Sequence, residues 1–170
     1  MKKRNLLVSI TTLSLVLGAI FAPAAVSATK KSNVKKLTFA ATTVEGTAFN
    51  SKVLLGKNPS VIWFWAPWCA ICQNESEHIV AAAQKYKGRV NFIGVGALGN
   101  QPELLDFVEK TGTSAFPNID DSSGAIWKRF GVVIQPTLIF VDKNGKISTK
   151  IGPSDAEFLE SKVKALVAKK

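Results

Sequence analysis

The chain has 170 residues, with 22 lysines and arginines against 12 acids, for a formal charge of +10. That length suits one domain with a genuine core and leaves little room for a second. The basic residues are not interleaved with aromatics, which excludes a nucleic-acid groove and leaves solvated surface lysines as the plain reading of the charge.

The first segment reads as an export signal. Lys2, Lys3 and Arg4 precede the uncharged run LLVSITTLSLVLGAIFA, which ends in the small-residue stretch APAAVSA. This is the basic, apolar and cleavage-site order of a secretory signal peptide, so residues 1–28 are expected to be removed after Ala28, with Ala24 as the alternative cut. An uncleaved anchor is the competing reading, because the apolar run is nearly long enough to cross a bilayer. No cysteine stands near the cut, so a lipid anchor is not expected. The mature chain keeps a charge of +7 over 142 residues and is expected to be secreted or extracytoplasmic at the cell surface.

Residues 29–36 are polar and lysine-rich and read as a flexible leader, with the domain proper over 37–170. LTFAATTVEGTAFNSKVLL suggests one or two short strands or a hairpin around Glu45-Gly46. SVIWFWA, residues 60–66, is too continuously apolar for a half-wet strand and predicts a central strand covered on both faces. Pro67 ends it. A helix follows from about Cys69 to Tyr86, then a buried strand over 89–97. Asn100, Pro102 and Glu103 mark the start of the next helix, which stops near Gly112. Beyond a short segment at FPNI, Ile126, Trp127 and Phe130 suggest a short helix. TLIFVD, residues 137–142, predicts a third apolar strand. Asn144-Gly145 then turns the chain into the edge strand ISTKI. Ser154 and Glu157 have the spacing of a capping box for a last helix whose Leu159, Val163 and Leu166 share a side. The predicted class is α/β, a central mixed sheet flanked by helices with an N-terminal strand or hairpin extension.

The chain's two cysteines stand in WFWAPWCAIC, as Cys69 and Cys72. Zinc would need two further ligands, and His78 is the one histidine available. A structural staple closing so short a loop contributes only about 2 kcal/mol in the chain-entropy model. Redox chemistry accounts for the pair better. Pro67 and Trp68 close the strand and set Cys69 near a helix N-cap, where unpaired backbone N–H groups favour a thiolate. Cys69 is thus expected to be the exposed nucleophile and Cys72, one turn on, the resolving thiol, with exchange passing through a mixed disulfide.

WFWAPWCAICQNE resembles the active-site segment of thioredoxin-fold proteins, and GAIWKRFGVVIQPTLIFVDKNGKI resembles the second half of that fold. The likeness runs from about Leu37 to Leu166 and is greatest to actinobacterial DsbE/DsbF-type and TlpA-like redoxins. It implies a thiol–disulfide oxidoreductase with no cofactor or metal beyond the Cys69–Cys72 disulfide. It also implies a cis Gln135-Pro136 bond facing that disulfide, with the Gln135 backbone pairing with an extended client. Trp65 and Trp68 match positions beside the disulfide, where they would shield it and offer apolar surface to clients. Glu75 matches a glutamate linked to proton handling, a role it can hold only if buried; an exposed helical glutamate is the other reading. Glu77 and His78 are expected to face solvent.

Two departures leave the direction of electron flow open: Ala70-Ile71 between the cysteines, and Glu77 where many relatives carry a helix-kinking proline. An oxidase of secreted clients is favoured, since an exported chain without a visible reductant meets an oxidising setting. The alternatives are a reductase, for example in cytochrome c maturation, a metal chaperone using the two sulfurs and His78, and an idle binding domain. Exported proteins with cysteine thiols and a membrane redox partner are the expected partners, and a monomer the expected state.

Overall fold

The computed structural model describes residues 33–168, and the expected signal peptide lies outside them. A hairpin of β1 (Ala40–Thr42) and β2 (Ala48–Asn50) comes first. Asn50 then caps a 3-10 turn over Ser51–Leu55, accepting from the Lys52 N–H at 3.0 Å. The main body runs β3 (Ser60–Trp65), α1 (Ala70–Lys85), β4 (Asn91–Gly96), α2 (Gln101–Thr111), β5 (Asn118–Asp120), α3 (Ala125–Phe130), β6 (Thr137–Val141), β7 (Ile147–Ile151) and α4 (Ala156–Ala168). The five-stranded sheet has the order β5-β4-β3-β6-β7. β3 runs parallel to β4 and antiparallel to β6, which makes the sheet mixed, as the sequence predicts.

The continuous apolar run of β3 has a direct explanation. Side chains alternate across a strand, so Val61, Trp63 and Trp65 enter one core while Ile62 and Phe64 enter another. The first core is closed by α1, α2 and α4 through residues such as Ile79, Phe107 and Val163. The second is closed by α3 and the N-terminal hairpin region, through Trp127, Phe130 and Leu37. With both faces buried and both edges paired, β3 has no position where a polar side chain could reach water.

Three expectations change. Residues 33–37 are helical, and they are tied down: Asn33 Nδ2 donates to the Gly145 carbonyl at 3.0 Å, Arg129 Nη1 donates to the Lys35 carbonyl at 3.1 Å, and Leu37 is fully buried. The mobile leader expected over 29–36 therefore does not describe residues 33–36. FPNI contributes a fifth strand, whose partner is the parallel β4. The last helix is capped by Asp155, which accepts from the Phe158 N–H at 2.7 Å, and Ser154 has another task.

Candidate functional site

The site forms at one end of the sheet. Beyond β3, the Cys69 N–H returns to the Ala66 carbonyl at 3.1 Å, and this turn sets Cys69 as the N-cap of α1 with φ −81° and ψ 100°. Its sulfur accepts from the Cys72 N–H at 3.1 Å, the position a capping oxygen ordinarily takes. The sulfurs of Cys69 and Cys72 are joined, with Cα atoms 5.2 Å apart. Cys72 is fully buried and Cys69 is 6% exposed. The order of accessibility is the one expected, but Cys69 is far less open than an exposed nucleophile: in the disulfide only its edge meets solvent.

The rim around that edge is apolar. Trp68 is 61% exposed, and its indole N–H donates to the Leu98 carbonyl at 2.8 Å, which ties the ring to the loop after β4. Ile71, between the cysteines, is half exposed. Trp65, expected beside Trp68 as client surface, is instead fully buried and stacked on Phe107 with ring centroids 4.2 Å apart. The period of a strand puts it inward, below the disulfide, in the same core cluster as both cysteines.

The Gln135-Pro136 bond is cis. Continuing the antiparallel register from Phe64↔Thr137 sets Pro136 and Gln135 opposite Trp65 and Ala66, at the end of the sheet that carries the disulfide. The local carbonyls on either side are engaged: Ile134 O accepts from Thr137 Oγ1 at 2.7 Å, and Pro136 O accepts from the Gly152 N–H at 2.9 Å. Pro136 is buried, Gln135 half-buried, and Val133 before them is 87% exposed.

Glu75 takes the buried of its two readings, at 3% exposure. It lies one helical turn from Cys72, on the same side of α1. One carboxylate oxygen, Oε2, accepts from the Trp63 indole N–H at 3.0 Å. The other, Oε1, accepts from the Ser154 N–H at 2.8 Å and from the Ser154 hydroxyl. Glu77 is exposed and His78 half-buried. Among the described residues no group of three or more His, Cys, Asp or Glu is placed to hold a metal ion.

Sequence reasoning missed three contributors. Ser154 reads as a helix cap because its spacing to Glu157 fits one, and nothing local points to Glu75. Trp63 reads as core, which it is, but its N–H also serves the carboxylate. Leu98 gives no signal at all, because its role depends on a backbone angle.

Known proteins resemble this chain over most of its length. The family model for the AhpC/TSA family matches residues 33–150. The soluble secreted antigen MPT53 of Mycobacterium tuberculosis is 34% identical over 159 residues, covering 91% of this chain and 86% of that one. The thiol-disulfide oxidoreductase ResA of Bacillus cereus is 32% identical over 130 residues, covering 75% and 74%. Among solved structures, MTB dsbF in its mixed oxidized and reduced forms superimposes with a TM-score of 0.74 at 37% identity, covering 77% of this chain and 96% of that one. The chain therefore belongs to the AhpC/TSA family and has its thioredoxin-like fold.

Proposed function

We propose that this thiol–disulfide oxidoreductase acts outside the cytoplasm as an oxidase, passing the Cys69–Cys72 disulfide to pairs of thiols in exported client proteins. A client thiolate attacks the Cys69 sulfur and Cys72 leaves as a thiolate that takes up a proton. A second client thiolate then attacks the client sulfur of this mixed disulfide and releases Cys69. The client loses two electrons, the enzyme gains them, and a membrane redox partner removes them to restore the disulfide.

The observation that carries the oxidising direction is the Cys72 N–H on the Cys69 sulfur at the N-terminus of α1. A hydrogen bond and a helix dipole aimed at that sulfur stabilise it as an anion, hence stabilise the reduced protein and make the disulfide a better oxidant. The burial of Cys72 supports its role as the resolving thiol, reached only from within. Similarity to a secreted relative and the signal-like first 28 residues support export.

Gln135 supports client binding. Its neighbours' carbonyls are engaged within the protein, while Gln135 itself lies just before β6 and two residues after the exposed Val133, a position where an extended client strand can add its own hydrogen bonds. The deciding experiment is the reduction potential in glutathione buffers, read by tryptophan fluorescence. A value between about −120 and −180 mV, the range of DsbA and protein disulfide isomerase, supports the oxidase; one near or below about −270 mV, that of thioredoxin, replaces it with a reductase.

A further inference from the structure

Leu98 poses a problem that the fold does not solve. Among the described residues it is the sole non-glycine with positive φ, at 59°. A left-handed backbone strains any side chain with a Cβ, which is why glycine and asparagine ordinarily fill such positions. The surrounding chain imposes the angle. On one side the Ala97 N–H is bound to the Trp65 carbonyl at 3.1 Å. On the other, Gly99 lies so close to Pro67 that a Cβ there would come within 2.5 Å of its ring, and Asn100 is locked by its capping box with Glu103.

The main-chain duty of the residue is to present its carbonyl to the Trp68 indole. Glycine would do this with less strain. The leucine side chain is not used by the core either, since it is 53% exposed and belongs to neither core cluster. It thus combines a strained backbone with an apolar group left in water, and neither feature helps the chain fold.

We propose that the Leu98 side chain is a specificity element that receives an apolar side chain flanking the reactive cysteine of a client. The proposal rests on the exchange function given above. Its commitment to an apolar client segment comes from continuity with the disulfide and from the exposed apolar side chains of Trp68, Ile71 and Leu98 around it. Trp68 and Leu98 stand on either side of one hydrogen bond, Ile71 lies between the cysteines, and Ala97-Leu98-Gly99 brings no ionisable group. Leu98 follows β4 while Val133 precedes β6, and these strands flank β3, so the disulfide has exposed apolar residues on both sides. A client held only by the Gln135 side would be gripped on one flank. Leu98 supplies the other.

The test uses two single-cysteine peptides, one with leucine and one with serine at the two positions on either side of the cysteine. Each is mixed in excess with the oxidised protein, and the rate constant for loss of the Cys69–Cys72 disulfide is read by mass spectrometry after acid quench. The parent is expected to prefer the leucine peptide, and Leu98→Gly to reduce that preference about fivefold, the scale of losing part of one apolar side chain's burial. Leu98→Gly is also expected to melt no lower than the parent, since it relieves the strained angle. A general disturbance of Trp68 would slow both peptides alike and leave the ratio unmoved. An unchanged ratio in a parent that exchanges with both peptides overturns this inference alone. A parent inert towards both peptides and towards glutathione overturns the exchange function and this inference together. Parent dimers that disappear in Leu98→Gly would overturn it by giving the rim to a second copy of the chain.

Discussion

Ser154 donates both its N–H and its hydroxyl to the same oxygen of Glu75, across 79 residues of sequence. With Trp63 on the other oxygen, a buried carboxylate has three neutral donors and is held one turn from Cys72. The arrangement joins β3, α1 and the start of α4 at a single side chain. Hydrogen bonds to a carboxylate contribute about 1.5–3 kcal/mol each, and leaving one unmade in the interior costs a similar amount. Ser154→Ala is therefore expected to lower stability by about 1.5–3 kcal/mol in urea denaturation, and Ser154→Thr to recover most of it. Equal stability of all three would show that the hydroxyl contributes nothing.

The division of labour between the cysteines predicts asymmetric trapping. With Cys72 replaced by serine, the mixed disulfide on Cys69 has no internal thiol to resolve it, so Cys72→Ser is expected to accumulate clients on non-reducing gels. Cys69→Ser leaves a fully buried thiol and is expected to accumulate none. Comparable adducts in both variants would contradict the assignment.

The N-cap geometry predicts an activated thiol in the reduced protein. Iodoacetamide at pH 6 is expected to alkylate Cys69 at least tenfold faster than free cysteine, because a thiolate favoured at a helix N-terminus is ionised where an ordinary thiol, with a pKa of about 8.5, is not. Mass-spectrometric counting of labelled Cys69 against time measures it directly.

Gly94 in β4 admits no side chain. A Cβ there would lie 1.9 Å from Asn118 Oδ1 and 2.8 Å from Trp65 Nε1. Asn118 cannot swing aside without losing the bonds from its Nδ2 to the carbonyls of Thr113 at 2.9 Å and Phe116 at 3.0 Å. Gly94→Ala is expected to destabilise the protein by about 3 kcal/mol or more, beyond ordinary overpacking because buried hydrogen bonds fail with it. The midpoint of guanidinium unfolding reports this, and a shift of under about 1 kcal/mol would mean that the strand can yield.

Glu160 gives a pH signature to the contact between α1 and α4. The Lys85 ammonium at 2.7 Å, the Tyr86 hydroxyl at 2.8 Å and Lys164 hold its carboxyl at about 2, well below the ordinary 4.5. A depressed carboxyl pKa adds stability that is fully present above the unfolded value and is lost as pH falls from about 4.5 towards 2. The stability difference between parent and Glu160→Gln is therefore expected to shrink across that window. Urea midpoints taken from pH 6 to pH 2 test it; parallel curves would show that the cluster is fully screened by solvent.

What was legible in the sequence follows from how local each cause is. The central strand is readable because six consecutive buried positions leave an unbroken apolar run, and α2 because Asn100 and Glu103 cap it from within four residues. Cys69 and Cys72 are readable from their place just after Pro67 and Trp68, where a strand gives way to a helix, and Gln135-Pro136 comes through family resemblance. β5 escapes notice because it spans three residues, and its buried Asn118 looks like a loop residue. Ser154 is misread for a related reason: a capping pattern is a local fact, and its true partner is supplied by the fold. The depth of Cys69 and the outward Leu98 depend on how loops from separate strands meet, which no periodicity encodes.

The place of β3 in the sheet has a consequence for how the enzyme fails on heating. The reactive sulfurs follow a strand that is paired along both edges and covered above and below. Fraying, which begins at poorly packed margins, reaches that segment last. Catalytic competence should thus hold steady up to the cooperative melt and then vanish in one step.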